Sequence, residues 1–292
     1  MAAQPERVPT HPVGIAVFGV EEGARFGIAC AGSRVITGEL AADRALALTD
    51  GDGTSMADAI ATSGGRPQDL ARDEETMRRI GVFVELHVEQ GRGLIDLGRA
   101  VAVGSSIRPH GRWRLDLHGR ADHAGTTALA DRRDPMLDLA AVITAARSEA
   151  AARQCVATIA KVVVKPNGVN AIPSHVTAWL DARGPVDTDV RAVAEAVARA
   201  GGTAATEESF TATTAFDPTL ADTLSGLLGD APVLATGAGH DAGVLATAGI
   251  PTAMLFVRNP TGISHSPDEH ADTDDCLAGV DALTTVLTHL TS

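Results

Sequence analysis

The alternation of apolar and polar positions changes twice along the chain. In the first stretch the run VGIAVFGV predicts a buried strand over 14–20, followed by turn-rich GSRVITGEL. Polar helical stretches are predicted over 55–63 and 73–79. GVFVELHV, over 81–88, reads as a second buried strand and RAVAVGSSI as a third.

At RWRLDLHGRADHAGTT the rhythm changes. Trp113, Leu115 and Leu117 alternate with polar residues, the period of a strand with one wet face. A long helix is predicted from Pro135 to about Arg153, with proline in its first turn. CVATIAKVVV and HVTAWLDAR read as strands, 187–200 as a helix stopped by Gly201 and Gly202, and TAATEESF as a last strand. Strand–helix–strand–strand–helix–strand is the order of a small ferredoxin-like α/β sandwich. After Pro218 the first character returns. A helix over 220–228, a short strand over 232–234, a helix opened by GAGHDAG and a strand TAMLFV lead to the loop NPTGISHSPDEH. An amphipathic helix runs from Asp275 to about Leu290. The predicted class is α/β. A larger mixed-sheet domain is built from 1–106 and 218–292, and the sandwich is inserted over 107–217.

Composition narrows this picture. A chain of 292 residues is comfortable for two domains, and with 45% hydrophobic but only 3% aromatic residues its core is aliphatic. A net charge of −13 argues against nucleic acid or an anionic membrane as partner. Cys30, Cys155 and Cys276 are too few and too scattered for a disulfide framework, which suits a reducing cytosol. No apolar run is long enough for a membrane helix, and MAAQPERVPTHP lacks the apolar core of a leader, so a cytoplasmic protein is expected.

Four polar clusters fall where predicted strands meet loops: Glu21 with Glu22; Glu85, His87 and Glu89; His240 with Asp241; and His265, Glu269 and His270. Imidazole and carboxylate together are ligands for zinc or manganese, and a neighbouring carboxylate can serve as general base. Each cluster also has a plainer reading. Adjacent glutamates are most often solvated, His87 suits a hydrogen-bonded core position, His265 suits a loop, and His240 suits a helix start. His118 and His175 read as surface residues. DGDGTS, over 50–55, lacks the closing Glu of a calcium loop and reads as a turn and helix cap.

Read together, the clusters resemble the M20 metallopeptidase superfamily, and within it the amidohydrolases acting on allantoate and N-carbamoyl amino acids. EEGARFG, ELHVEQG, GRADHAGTT, VNAIPS, LDAR, GAGHDA and GISHSP follow that family's order over nearly the whole chain. The resemblance implies an M20-type mixed-sheet catalytic domain with the sandwich as lid and dimerisation domain. It implies Glu21 as general base toward a metal-activated water, and Glu22, His87 and His265 as ligands for zinc or manganese. It implies His123 as an oxyanion donor reaching a partner subunit, Asn170 and Arg183 as holders of a substrate carboxylate, and His240 as a further substrate contact. Expected partners are a small carboxylate substrate and a second copy of the chain.

The family pattern also has a His and a bridging Asp on a segment upstream of Glu21. Here twenty residues precede Glu21; His11 matches no ligand position, and the first Asp is Asp43. At most one weakly held metal per chain is therefore expected. Three readings compete: an active amidohydrolase, a member repurposed for non-hydrolytic chemistry, and a non-catalytic binding or partner protein.

Overall fold

The computed structural model describes residues 10–292; most of the stretch MAAQPERVPTHP lies outside them. Strands run, in chain order, β1 Phe83–Val88, β2 Val101–Ile107, β3 His110–His118, β4 Asp122–His123, β5 Val156–Lys165, β6 Ala171–Ile172, β7 His175–Arg183, β8 Ala205–Thr211, β9 Thr214–Ala215, β10 Val233–Thr236 and β11 Thr252–Val257. Helices are α1 Ala31–Thr37, α2 Ala42–Leu46, α3 Met56–Thr62, α4 Glu74–Arg79, α5 Gly93–Leu97, α6 Pro135–Ala152, α7 Asp187–Ala200, α8 Pro218–Leu227, α9 Asp241–Thr247 and α10 Thr273–Leu290. The chain divides into two compact units, Met1–Ile107 with Ala215–Ser292, and Arg108–Thr214.

The first unit is organised by a mixed sheet in the order β1–β11–β2–β10. β1 and β11 are parallel, β11 and β2 antiparallel, and β2 and β10 parallel. Every residue of β11 is buried, as expected of a central strand covered on both faces. Val103, Leu255, Leu224 and Val286 pack together with α8 and α10, while Leu94, Ala102, Met254 and Phe256 form a separate cluster with Ala242 of α9.

The second unit is the antiparallel sheet β5–β7–β3–β8. Its βαββαβ order is that of a ferredoxin-like sandwich. Alternation decides its faces: Trp113, Leu115 and Leu117 of β3 and Val176, Ala178 and Leu180 of β7 pack with Val142 of α6 and Val193 and Val197 of α7. His118 and His175, directly paired across β3 and β7, stack on the other face with ring centroids 4.8 Å apart.

Two expectations fail in the first unit. Residues 14–20 form no strand, and Val13, Ile15 and Val17 are exposed. A strand exists only as part of a ladder, and among the described residues this segment pairs with none. Apolar content alone cannot supply a partner. GSRVITGEL, read as turns, contains most of α1. Ala31 and Val35, four residues apart, are buried on one face of the helix, Ser33 is buried on another where its hydroxyl meets Asp241, and Gly38, at φ 83°, ends the helix in the left-handed region that glycine tolerates. DGDGTS forms the expected turn and cap: Asp50 accepts from the Asp52 and Thr54 amides, and Ser55 from that of Asp58.

Candidate functional site

Glu21 and Glu22 stand on a bend held by the start of α1. The carbonyls of Gly19, Val20 and Glu21 accept from the amides of Gly32, Ala31 and Cys30 at 3.1, 3.3 and 2.7 Å. These helix-start N–H groups have no intrahelical partner, so the bend and the helix satisfy each other. Gly23, at φ 69°, is required after the glutamates because a Cβ there would meet the Ala29 nitrogen at 2.5 Å. Val20 itself sits at φ 62°, an unusual conformation for a β-branched residue.

Around this bend β1, α9 and the loop after β11 bring the predicted residues of the first unit together. Glu22 Oε2 lies 3.3 Å from His265 Nε2, both exposed. Glu21 Oε1 lies 4.0 Å from His240 Nδ1, and Glu85 Oε1 lies 3.6 Å from the same nitrogen. The rings of His87 and His240 meet edge to face, with centroids 4.5 Å apart. Glu85 Oε2 accepts the Ala242 amide at 2.7 Å at the start of α9, and Asp241 accepts from the Ser33 hydroxyl at 2.5 Å, tying α9 to α1.

The electrostatics follow from burial. Burial first, then the charges of Glu22 and Asp241, pushes the Glu21 carboxyl above its ordinary value. The same effect lifts Glu85 to about 7, with Asp241 adding to it and the Ala242 amide opposing it. Burial and then His87 lower His240 to about 3, so its imidazole is neutral at neutral pH. His240 Nδ1 is buried and has no hydrogen-bond partner among the described residues. Such an atom is costly unless something else engages it.

The remaining predicted residues belong to the second unit. His123 and Asn170 meet at the β4–β6 ladder: the Ala124 amide donates to the Asn170 carbonyl at 2.9 Å, and His123 Nδ1 accepts from the Gly125 amide at 2.9 Å. Arg183 ends β7 and donates through Nε to Asp181 at 3.0 Å. Of the other motif carboxylates, Glu89 caps α5 through the Gly93 and Leu94 amides, and Glu269 accepts the His265 amide.

A sequence profile of the Peptidase family M20/M25/M40 matches residues 1–289. The chain belongs to that family. Its M20 relatives include the N-carbamoyl-L-amino acid amidohydrolase of Geobacillus stearothermophilus, 35% identical over 94% of this chain and 70% of the relative. The allantoate amidohydrolase of Escherichia coli is 30% identical over 97% of this chain and 68% of its own length. Among solved structures, an amidase of the hydantoinase/carbamoylase family from Burkholderia multivorans superposes with a TM-score of 0.78 at 26% identity, covering 94% of this chain and 69% of that one.

The donor chemistry of this M20 chain suits a transition metal. His87 Nδ1 faces the Val88 carbonyl at 2.8 Å; a carbonyl only accepts, so Nδ1 holds the proton and Nε2 is the nitrogen left for a ligand. Two donors each about 2.1 Å from one tetrahedral ion stand roughly 3.4 Å apart, close to the Glu22–His265 separation of 3.3 Å. Among the described residues, no three His, Cys, Asp or Glu side chains are already grouped as a ligand set.

The sequence placed Glu85 and Asp241 in candidate clusters but gave neither a role of its own. Their signal was present: Glu85 stands two residues before His87, on the same face of β1, and Asp241 follows His240 directly.

Proposed function

We propose that this protein hydrolyses a ureido or amide C–N bond of a small carboxylate substrate, an N-carbamoyl amino acid or allantoate. Glu22, His87 and His265 would hold zinc or manganese, which when bound supplies Lewis acidity. Glu21 takes the proton of the attacking water and returns it to the leaving nitrogen. The observation that carries this reading is Glu21 itself, a partly buried carboxylate with raised proton affinity beside the Glu22–His265 pair. A base with raised affinity is better matched to proton transfer near neutral pH. His240 supports substrate binding, because its buried Nδ1 lacks a partner that a ureido group could provide. His123 as oxyanion donor, and Asn170 and Arg183 as holders of the substrate carboxylate, complete the proposal. Relatives named for both substrates support it.

The second unit would serve as lid and dimerisation domain. β5 is an edge strand that exposes Val156, Val162 and Val163, and α6 exposes Met136, Leu137 and Ile143. An open apolar edge invites a second copy. Among the described residues no helix is long and apolar enough to cross a membrane, and the three cysteines are free, in keeping with a reducing cytoplasm.

Ammonia release from N-carbamoyl-L-amino acids and allantoate, measured with zinc or manganese and again after chelation, tests the function. Turnover that chelation abolishes and metal restores is expected. No ammonia release from either substrate with either metal would overturn the reading.

A further inference from the structure

The loop carrying His265 is built around a residue to which no role has been assigned. Asn259 is fully buried just beyond β11. Its Oδ1 accepts from the Thr261 amide, the Thr261 hydroxyl and the Gly262 amide, each at 3.0 Å, and its Nδ2 donates to the Ile263 carbonyl at 2.7 Å. The root of the loop is fixed as well. Neighbouring Arg258 donates to both oxygens of Asp275, at 2.9 and 2.8 Å, and its amide donates to the Ala100 carbonyl. Further along, Gln90 Nε2 donates to the Ser264 hydroxyl at 3.0 Å, and Glu269 accepts the His265 amide at 2.8 Å.

These contacts converge on a strained residue. His265 stands at φ 57°, in the left-handed region that a side chain disfavours. Such a conformation persists only where its surroundings over-determine it. Here the result is that Nε2 faces Glu22 at 3.3 Å.

We infer that Asn259 is a positioning residue for His265, turning the loop so that the imidazole meets Glu22; this rests on the proposed role of His265 as a ligand. A side-chain amide suits the task because one oxygen can take three donors while the nitrogen meets a carbonyl. An aliphatic residue would remove this partner from the Thr261 and Gly262 amides and the Ile263 carbonyl, and leave the Thr261 hydroxyl only the Ile263 amide, from which it accepts at 3.1 Å.

The test uses the full chain, stripped of metal by chelation and titrated with cobalt, whose visible spectrum reports ligand geometry. Asn259→Ala is expected to bind cobalt about 10- to 100-fold more weakly than the parent, the usual cost of removing a partner that orients a ligand. Its spectrum should shift, and hydrogen exchange should rise at the Thr261 and Gly262 amides. Thr252→Val removes an unrelated buried hydroxyl of the same unit and is expected to keep the parent's cobalt affinity and spectrum. If Asn259→Ala binds cobalt with the parent's affinity and spectrum while His265→Ala does not, the positioning role is overturned and the ligand role stands. If His265→Ala binds as the parent does, the ligand role falls and the positioning role with it.

Discussion

Replacing Glu85 with glutamine should make the protein more stable at pH 8 than at pH 5 relative to the parent. Burial lifts the Glu85 carboxyl from an ordinary 4.5 to about 7. A carboxyl whose affinity is raised in the folded state contributes stability that is fully present below 4.5 and is lost as pH rises through 7. The shift of about 2.5 units corresponds to roughly 3 kcal/mol, of which about 2 to 3 kcal/mol is lost between pH 5 and pH 8. Glutamine is neutral throughout. Its carbonyl can keep the Ala242 amide, and its NH2 group lies where it could approach the unpartnered Nδ1 of His240, now 3.6 Å from Glu85 Oε1. His240 is present in both proteins, so its own titration largely cancels in the comparison. Denaturant unfolding of parent and Glu85→Gln at pH 5 and pH 8, with chelator present, measures the difference. An advantage of the variant that grows by about 2 to 3 kcal/mol over this range is expected. Parallel pH profiles would show that burial does not hold a proton on Glu85.

Three further outcomes follow from the same structure. Leu180→Ala, at a fully buried position in the second unit, should lower stability by about 2 to 5 kcal/mol in thermal or denaturant unfolding. Arg183→Ala should weaken calorimetric binding of an N-carbamoyl amino acid by roughly 1.5–3 kcal/mol, the scale of a charge-assisted hydrogen bond; equal binding would leave Arg183 a structural residue that pairs with Asp181. Light scattering at micromolar concentration should give twice the chain mass, and a monomer would remove the dimerisation role of the second unit.

Much of the fold was legible because its rhythms are simple. The alternation of Trp113, Leu115 and Leu117 marked β3, the proline at 135 marked the start of α6, and Gly201 marked the end of α7. The failures share one cause, since both depend on what lies next to a segment rather than on its own composition. VGIAVFGV has strand composition but no ladder partner among the described residues, and α1 is helical because Val35 and Ser33 pack inward despite β-branched neighbours. At the site, the motifs pointed to the glutamates and histidines to which the proposed chemistry is assigned. They did not show that Asp241 is a buried and Glu85 a largely buried carboxylate, nor that Asn259 bonds the His265 loop from within. The first two arise from contacts across long sequence separations, Ala242 to Glu85 and Ser33 to Asp241, whereas the Asn259 contacts are local and depend on how the loop turns.

The central claim is that Glu21 is the base of an amidohydrolase site. The most direct measurement compares ammonia release by the metal-loaded parent and by Glu21→Gln, with metal affinity determined for both. The account predicts that Glu21→Gln binds metal as the parent does and loses about 10²–10⁴-fold in turnover, the contribution of a positioned general base. A variant that binds metal normally and releases ammonia at the parent's rate would contradict it.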